Sequence, residues 1–322
     1  MTDELLDVKN LTVRYFTEEG VVEALDGVSF KISMGERVGL VGESGCGKST
    51  AALSILRLVP LPGKITGGKI FLEGVNLLEI SIDEMRRRVR GSKVSMIFQE
   101  PSRALNPVLT AGEQIVEAIQ LHQKISKSEA EERAIKVLEE VGLPNPPELL
   151  KRYPFELSGG MQQRVMIAMA LSCNPRLLIA DEPTSSLDVT IEAQILDLIK
   201  SLMDQGDISA MLFITHDLAL ISEISDKIVV MYAGTVAEIS DTETIFEDPK
   251  HPYSKGLMEV VPDPFRGKRT FGTIPGDIPS LIAPPSGCRF HKRCMYAKEI
   301  CAKQRPTLER IEGENYVACH LF

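Results

Sequence analysis

The sequence predicts an α/β fold with a mainly parallel sheet covered by helices on both faces, and three observations carry that prediction. Apolar strand-like runs alternate with segments of helical periodicity, a glycine-rich loop joins one such strand directly to a helix, and both patterns stop near residue 245, where prolines multiply.

Residues 1–40 hold short alternating segments such as Leu11-Thr12-Val13-Arg14-Tyr15, with turns at Glu18-Glu19-Gly20 and Met34-Gly35, so the chain opens strand-rich. The run Arg37-Val38-Gly39-Leu40-Val41 follows, then the glycine-rich loop, then a helix-like stretch from Ser49 to Leu58. From about 100 to 172 the character is helical. Ser128 with Glu131 reads as a capping box, and Ala130, Ala134, Val137, Leu138 and Val141 recur at helical spacing until Gly142 and Pro144. Two buried-type strands, Leu177 to Ala180 and Met211 to Thr215, flank a helical pattern from Ile191 to Met203. No internal repeat is found, so one α/β unit is expected. Beyond it, Pro249, Pro252, Pro262, Pro264, Pro275 and Pro279 mark an irregular extension with little core of its own. The expected division is 1–250, with a helical part at about 100–172, and 251–322.

The 322 residues are 43% hydrophobic and 25% charged with a net charge of −9, a globular composition whose acidity argues against nucleic acid as partner. No apolar run reaches the roughly 18–20 residues that span a bilayer, and MTDELLDVKN lacks the order of a signal peptide, so a cytoplasmic location is expected. In such a compartment six cysteines do not read as a disulfide framework. Cys173 reads as a small buried residue.

Gly42-Glu43-Ser44-Gly45-Cys46-Gly47-Lys48-Ser49 fits G-x-x-x-x-G-K-[ST] in the required setting between strand and helix. Glycines let backbone N–H groups turn inward around phosphates, and the helix N-terminus adds partial positive charge. Gly42, Ser44, Gly45, Cys46, Gly47, Lys48, Ser49 and the following Thr50 are therefore the nucleotide-binding candidates. Lys48 reaches the β- and γ-phosphates, Ser49 offers its hydroxyl to Mg²⁺, and Cys46 is a small filler. Asp181-Glu182 directly follows an apolar strand, at the edge where open α/β sheets bind ligands. With a phosphate loop present, Asp181 is expected to hold Mg²⁺ through water and Glu182 to polarise the attacking water.

Leu157-Ser158-Gly159-Gly160-Met161-Gln162-Gln163-Arg164 resembles the signature of the ABC ATPase family, with Ser158 as a natural N-cap. Met161 departs from the common glutamine. The resemblance covers roughly residues 5–245 and implies a P-loop NTPase (RecA-like) cassette with an N-terminal antiparallel β-subdomain and a helical signature subdomain. It implies that Ser158 and Gly160 address the ATP held by a partner cassette, so that two subunits meet head to tail. By the same resemblance Gln99, ending the strand Val94 to Phe98, senses Mg²⁺ and the attacking water. Ser186-Leu187-Asp188 resembles the D-loop that communicates across the dimer, and His216 the switch histidine on the γ-phosphate. Tyr15 resembles the aromatic that stacks on adenine, with Phe16 as its substitute.

Cys288, Cys294, Cys301 and Cys319 are separated by 5, 6 and 17 residues, without the short pairs of common zinc modules. Four thiolates in a segment with little core are suited to zinc or an iron–sulfur cluster, with untethered thiols as the alternative. Arg289, Lys292 and Arg293 among them read as readily as a solvated surface as a nucleic-acid patch. The tail, from His251-Pro252-Tyr253 through Cys288-Arg289-Phe290-His291-Lys292-Arg293-Cys294, is similar to that of the ATPase subunits of dipeptide and oligopeptide importers. That resemblance implies a [4Fe–4S] cluster on the four cysteines, with His291 and His320 as lesser ligands and zinc as the alternative. It also implies a second, non-identical ATPase, two membrane permeases, an extracytoplasmic binding protein, and peripheral attachment to the cytoplasmic face of the membrane. Relatives of this kind also serve nickel or oligosaccharides. A soluble ABC ATPase acting on ribosomes or DNA is the more distant alternative, and neither the second cassette nor the long coiled coil that would favour it is present.

Overall fold

The computed structural model describes residues 4–184, 189–206, 208–260 and 274–322. The chain divides into two compact units, Met1–Leu78 with Phe213–Phe322, and Glu79–Leu212. In chain order the first strands are β1 (Glu4–Thr17), β2 (Gly20–Ser33), β3 (Arg37–Val41), β4 (Gly63–Leu72), β5 (Val75–Asn76) and β6 (Val94–Ile97). They are followed by β7 (Leu177–Asp181), β8 (Ala210–Ile214), β9 (Lys227–Tyr232), β10 (Thr235–Asp241), β11 (Glu309–Glu312) and β12 (Asn315–Val317).

In the first unit, β1 and β2 form a long antiparallel ribbon whose turn falls at Glu18 and Glu19, as the sequence predicts. The ribbon widens into an antiparallel sheet of order β2-β1-β4-β5. Its apolar face is Leu6, Val8, Leu11 and Val13 from β1 with Leu25, Val28, Phe30 and Ile32 from β2, all buried. A second strand array runs β11-β12-β10-β9-β3, parallel between β3 and β9 and antiparallel elsewhere. Ile228 to Tyr232 of β9 are buried without alternation, the pattern of a strand covered on both faces. Strand β3 feeds the glycine loop and then the helix Lys48–Ile55.

The second unit holds the parallel pair β6 and β7, in register from Val94 opposite Leu177 to Ile97 opposite Ala180. Its main helices are Ala111–His122, Lys127–Glu140, Gly159–Leu171 and Val189–Asp204, and β8 then carries the chain back to the first unit. The predicted apolar stripe Ala130, Ala134, Val137 and Leu138 is buried, but the capping box is Ser126 with Glu129 rather than Ser128 with Glu131. Both pairs fit S-x-x-E. Capping at Ser126 keeps the same apolar face inward while making two further residues helical, so the earlier start wins.

The extension is more ordered than its prolines suggest. Strand β12 pairs with β10 at Val317 opposite Glu238, β11 pairs with β12, and short helices occupy Pro252–Val260 and Glu299–Lys303. Its core is borrowed: Tyr253 and Phe290 close on Tyr232 of β9 with ring centroids 4.6 and 5.1 Å apart. Proline density removes backbone donors from regular ladders but does not prevent aromatic side chains from docking on a neighbouring sheet.

Candidate nucleotide site

The phosphate loop bends sharply between β3 and its helix. Gly42 has φ 152 and Gly47 φ 105, and a Cβ there would lie 2.1 Å from the Met231 carbonyl oxygen and 2.7 Å from that of Ala24. Only glycine satisfies both the backbone angle and the close approach. Lys48 is 7% exposed, and its Nζ donates to the carbonyls of Gly42 (2.7 Å) and Glu43 (3.2 Å), so the ammonium sits inside the curl of the loop. Cys46 is buried beneath the loop, and burial pushes its thiol up, which fits a filler rather than a nucleophile. Ser44, Gly45 and Ser49 are exposed, and Thr50 is half-buried at the start of the helix, where its carbonyl accepts from Ser54 Oγ. The Cys46 carbonyl accepts from Gly234 N–H, and the Gly234 carbonyl from Asp26 N–H, which ties the loop to the turn after β9 and to β2.

Tyr15 lies on β1, half-buried, with Gly63 pressed so close that a Cβ there would meet its ring at 2.6 Å, while Phe16 is 47% exposed. His216 is exposed immediately after β8, and the next residue, Asp217, caps the helix Leu218–Ile224.

In the second unit, Asp181 ends β7 and is 6% exposed. Glu182 follows with φ 45, a left-handed conformation that costs a non-glycine residue about 1 kcal/mol. Side chains tie this turn: Gln99 Nε2 donates to Glu182 Oε2 at 2.7 Å, and Gln163 Nε2 donates to the Pro183 carbonyl at 2.6 Å. Strained backbone over-determined by its neighbours is the usual setting of a group that must not move during a reaction. Ser158 is the N-cap of the helix Gly159–Leu171, its Oγ accepting from Met161 N–H at 3.4 Å. Ser158 and Gly159 are exposed, and Gly160 is half-buried against Ile191.

Gln162, Gln163 and Arg164 stand in the signature stretch without an individual role read from the sequence, and each is a tie. Gln162 donates to the carbonyls of Pro154 and Leu157, Gln163 reaches Pro183, and Arg164 Nη1 donates at 2.6 Å to the carbonyl of Val141, just past the helix Lys127–Glu140. Asp188 and its neighbours Ser186 and Leu187 lie outside the described residues.

The extension departs from expectation twice. Arg289 and Arg293 are not solvated: their side chains are 4% and 5% exposed. Arg289 pairs with Glu23 and Asp26 on β2, and Arg293 with Glu43 of the phosphate loop. Lys292 alone of the three is exposed. The second departure is the expected metal centre. Cys288, Cys294, Cys301 and Cys319 are free and line one narrow cavity with His291 and His320. Among the described residues, however, no three His, Cys, Asp or Glu side chains are arranged to hold a metal ion, which overturns the [4Fe–4S] and zinc expectations. Burial, reinforced by the neighbouring cysteines, pushes the Cys288 thiol up to about 11, and burial also raises Cys294 and Cys319. His291 Nδ1 is engaged with the Cys288 carbonyl and His320 Nε2 with that of Gln304. Cys173 is half-buried, and burial raises its thiol as well.

A family model described as "ABC transporter" matches residues 25–185, and one described as "Oligopeptide/dipeptide transporter, C-terminal region" matches residues 237–301. A probable peptide ABC transporter ATP-binding protein of Sinorhizobium fredii is 49% identical over 98% of this chain and 95% of its own length. The dipeptide transport ATP-binding protein DppD of Escherichia coli is 45% identical over 98% of this chain and 96% of its own length. The oligopeptide transport ATP-binding protein OppD of Bacillus subtilis is 45% identical over 99% and 89%. Among solved structures, an ATP-binding cassette in a dimeric post-hydrolysis state with ADP and Pi is 30% identical, with TM-score 0.64, over 74% of this chain and 98% of that one.

Proposed function

The chain belongs to the ABC transporter ATP-binding family, in the group that carries the oligopeptide/dipeptide transporter C-terminal region, and we infer that it hydrolyses ATP to drive import of dipeptides or oligopeptides. The observation that carries this reading is the phosphate loop itself: a buried lysine ammonium enclosed by a glycine curl in which no Cβ fits at Gly42 or Gly47. The residues present suit MgATP. Ser49 and Asp181 are oxygen donors of the kind Mg²⁺ takes, with Gln99 as a further one, and Tyr15 offers a ring to the adenine. When bound, the ion neutralises charge on the β- and γ-phosphates.

Phosphoryl transfer to water needs positioning and charge neutralisation more than covalent help. Lys48 supplies fixed positive charge to the phosphates. Glu182 accepts a hydrogen bond from the attacking water and draws its proton as the bond to phosphorus forms and ADP departs. Gln99, by donating to the same carboxylate, fixes its rotamer, and His216 donates to the γ-phosphate. Ser158 and Gly160 present the exposed helix N-terminus to the ATP of a partner cassette, where the positive end of the helix complements the triphosphate. Asp188 takes the dimer-contacting role. In this reading residues 1–250 are the nucleotide-binding domain, with the helical subdomain at about 100–172, and 251–322 the extension; the C-terminal family match at 237–301 spans the boundary between them.

The working assembly is a head-to-tail pair with a second, non-identical ATPase, bound to two permeases on the cytoplasmic face of the membrane and served by an extracytoplasmic binding protein. The family membership and the exposed signature turn support it. The test is Glu182→Gln, which is isosteric and retains the acceptor oxygen for Gln99. MgATP binding should persist while turnover drops by roughly 10²–10⁴-fold, the range of a lost general base. Undiminished turnover would remove Glu182 from the reaction.

A further inference from the structure

Within Gly42-Glu43-Ser44-Gly45-Cys46-Gly47, glutamate is the one long side chain, and it is the point at which the extension grips the loop. Arg293 Nη1 donates to Glu43 Oε2 at 2.6 Å and Nη2 to Oε1 at 3.0 Å, a two-pronged pairing. The remaining donors of the guanidinium are also satisfied: Nε bonds the Pro275 carbonyl, Nη2 also that of Ile274, and Nη1 also Tyr232 Oη. All five N–H groups therefore have acceptors, and the group lies over the rings of Tyr232 and Phe290, at 5.7 and 6.0 Å. A second contact fixes the backbone: Glu43 N–H donates to Tyr253 Oη at 2.9 Å. Burial raises the Tyr253 phenol above its ordinary value, so it stays neutral. The Glu43 carbonyl, in turn, accepts from Lys48 Nζ. One loop residue is thus held at side chain, N–H and carbonyl.

We propose that Arg293 is a positioning residue of the nucleotide site: its fork on the Glu43 carboxylate holds the phosphate loop in the form that receives a nucleoside triphosphate. A glycine-rich loop loses much backbone entropy when it orders around phosphates, and bracing it beforehand removes part of that loss from binding. A buried ion pair adds little net stability compared with apolar packing, so its position on the loop, rather than its strength, is what a nucleotide would sense. The proposal rests on the reading that the nucleotide sits in this loop.

The test measures equilibrium MgATP binding and thermal midpoint on the full-length chain, for Arg293→Gln, Glu43→Gln, the double variant and Lys48→Ala. Each single exchange at the pair should weaken MgATP about tenfold at temperatures well below unfolding, the scale of one charged hydrogen bond. The double variant should be no weaker than the worse single, because the two side chains act as one unit. Arg293→Lys keeps charge and packing without the fork, and should show a smaller loss in the same direction even if the glutamine variant folds poorly. Unchanged affinity in Arg293→Lys and Arg293→Gln, or losses that multiply in the double variant, overturn the proposal. If Lys48→Ala still binds MgATP as the wild type does, the underlying reading fails and the proposal with it. If Lys48→Ala loses binding while the Arg293 variants do not, the proposal alone fails.

Discussion

The phosphate loop and the turn at Ser158 both lead through glycines into a helix N-terminus, yet they are held in opposite ways. In the loop, Gly42 and Gly47 are packed so closely that no Cβ fits, Lys48 is buried, and Glu43 is tied by Arg293 and Tyr253. At the signature turn, Ser158 and Gly159 face solvent, a Cβ on Gly159 would meet nothing within 4 Å, and the Ser158 side chain makes one long cap bond of 3.4 Å. In the proposed reading, the contrast separates a surface that this chain builds in advance from one whose partners come from outside it. Pre-organisation favours binding by the loop, and an open helix N-terminus favours a contact that forms only on assembly.

The largest effect that could break this comparison comes from Ser158→Arg. It places a long cation where the helix N-terminus should meet a partner's nucleotide. MgATP binding to the isolated chain should stay within about twofold, while hydrolysis by the assembled pair falls by roughly 10²–10³-fold, as when one transition-state donor is removed. Equal loss of binding in the isolated chain would mean that the turn serves its own nucleotide, and the two regions would no longer differ in kind.

A smaller effect sharpens the loop side. His251 is 3% exposed, accepts from Tyr253 N–H at Nδ1, and burial lowers its pKa from 6.5 to about 4. The unfolded chain takes up this proton as pH falls through about 6.5, whereas the folded chain resists it down to about 4. Stability is therefore fully present above that window and is lost across it, by about 3 kcal/mol at its acid end. Glu238, which accepts from the N–H groups of Lys250 and His251, is held up by burial and acts in the opposite sense, so the net loss is somewhat less. His251→Asn keeps an acceptor for the Tyr253 N–H and removes the titration. Its thermal midpoint should depend less on pH between about 6.5 and 4 than that of the wild type, and an unchanged slope would place the acid sensitivity elsewhere.

What could be read from sequence divides along the same line between local and distant contacts. The loop, the strand before Asp181 and the Ser158 cap are specified by neighbours a few residues away; β3 and β7 fall where the apolar runs put them, and the helix from Gly159 where the Ser158 cap does. The ion pairs of Arg289 and Arg293 join residues more than 240 positions apart, and nothing near either arginine marks it as buried. Strand β11 is exposed at all four residues, so no alternation announces it, and its ladder is with β12, which itself pairs with β10. The metal expectation failed for a related reason. Spacing along the chain places four cysteines around one cavity, but ligation needs a specific arrangement of thiolates that spacing does not set.

The most direct test is calorimetric titration of MgATP into the full-length chain and into Lys48→Ala in the same buffer. One nucleotide per wild-type chain, with affinity reduced by about 10²-fold or more in the variant, is the outcome expected when several charged hydrogen bonds to phosphate are removed together. Equal affinity in both proteins would show that the triphosphate is held somewhere other than the glycine curl around Lys48.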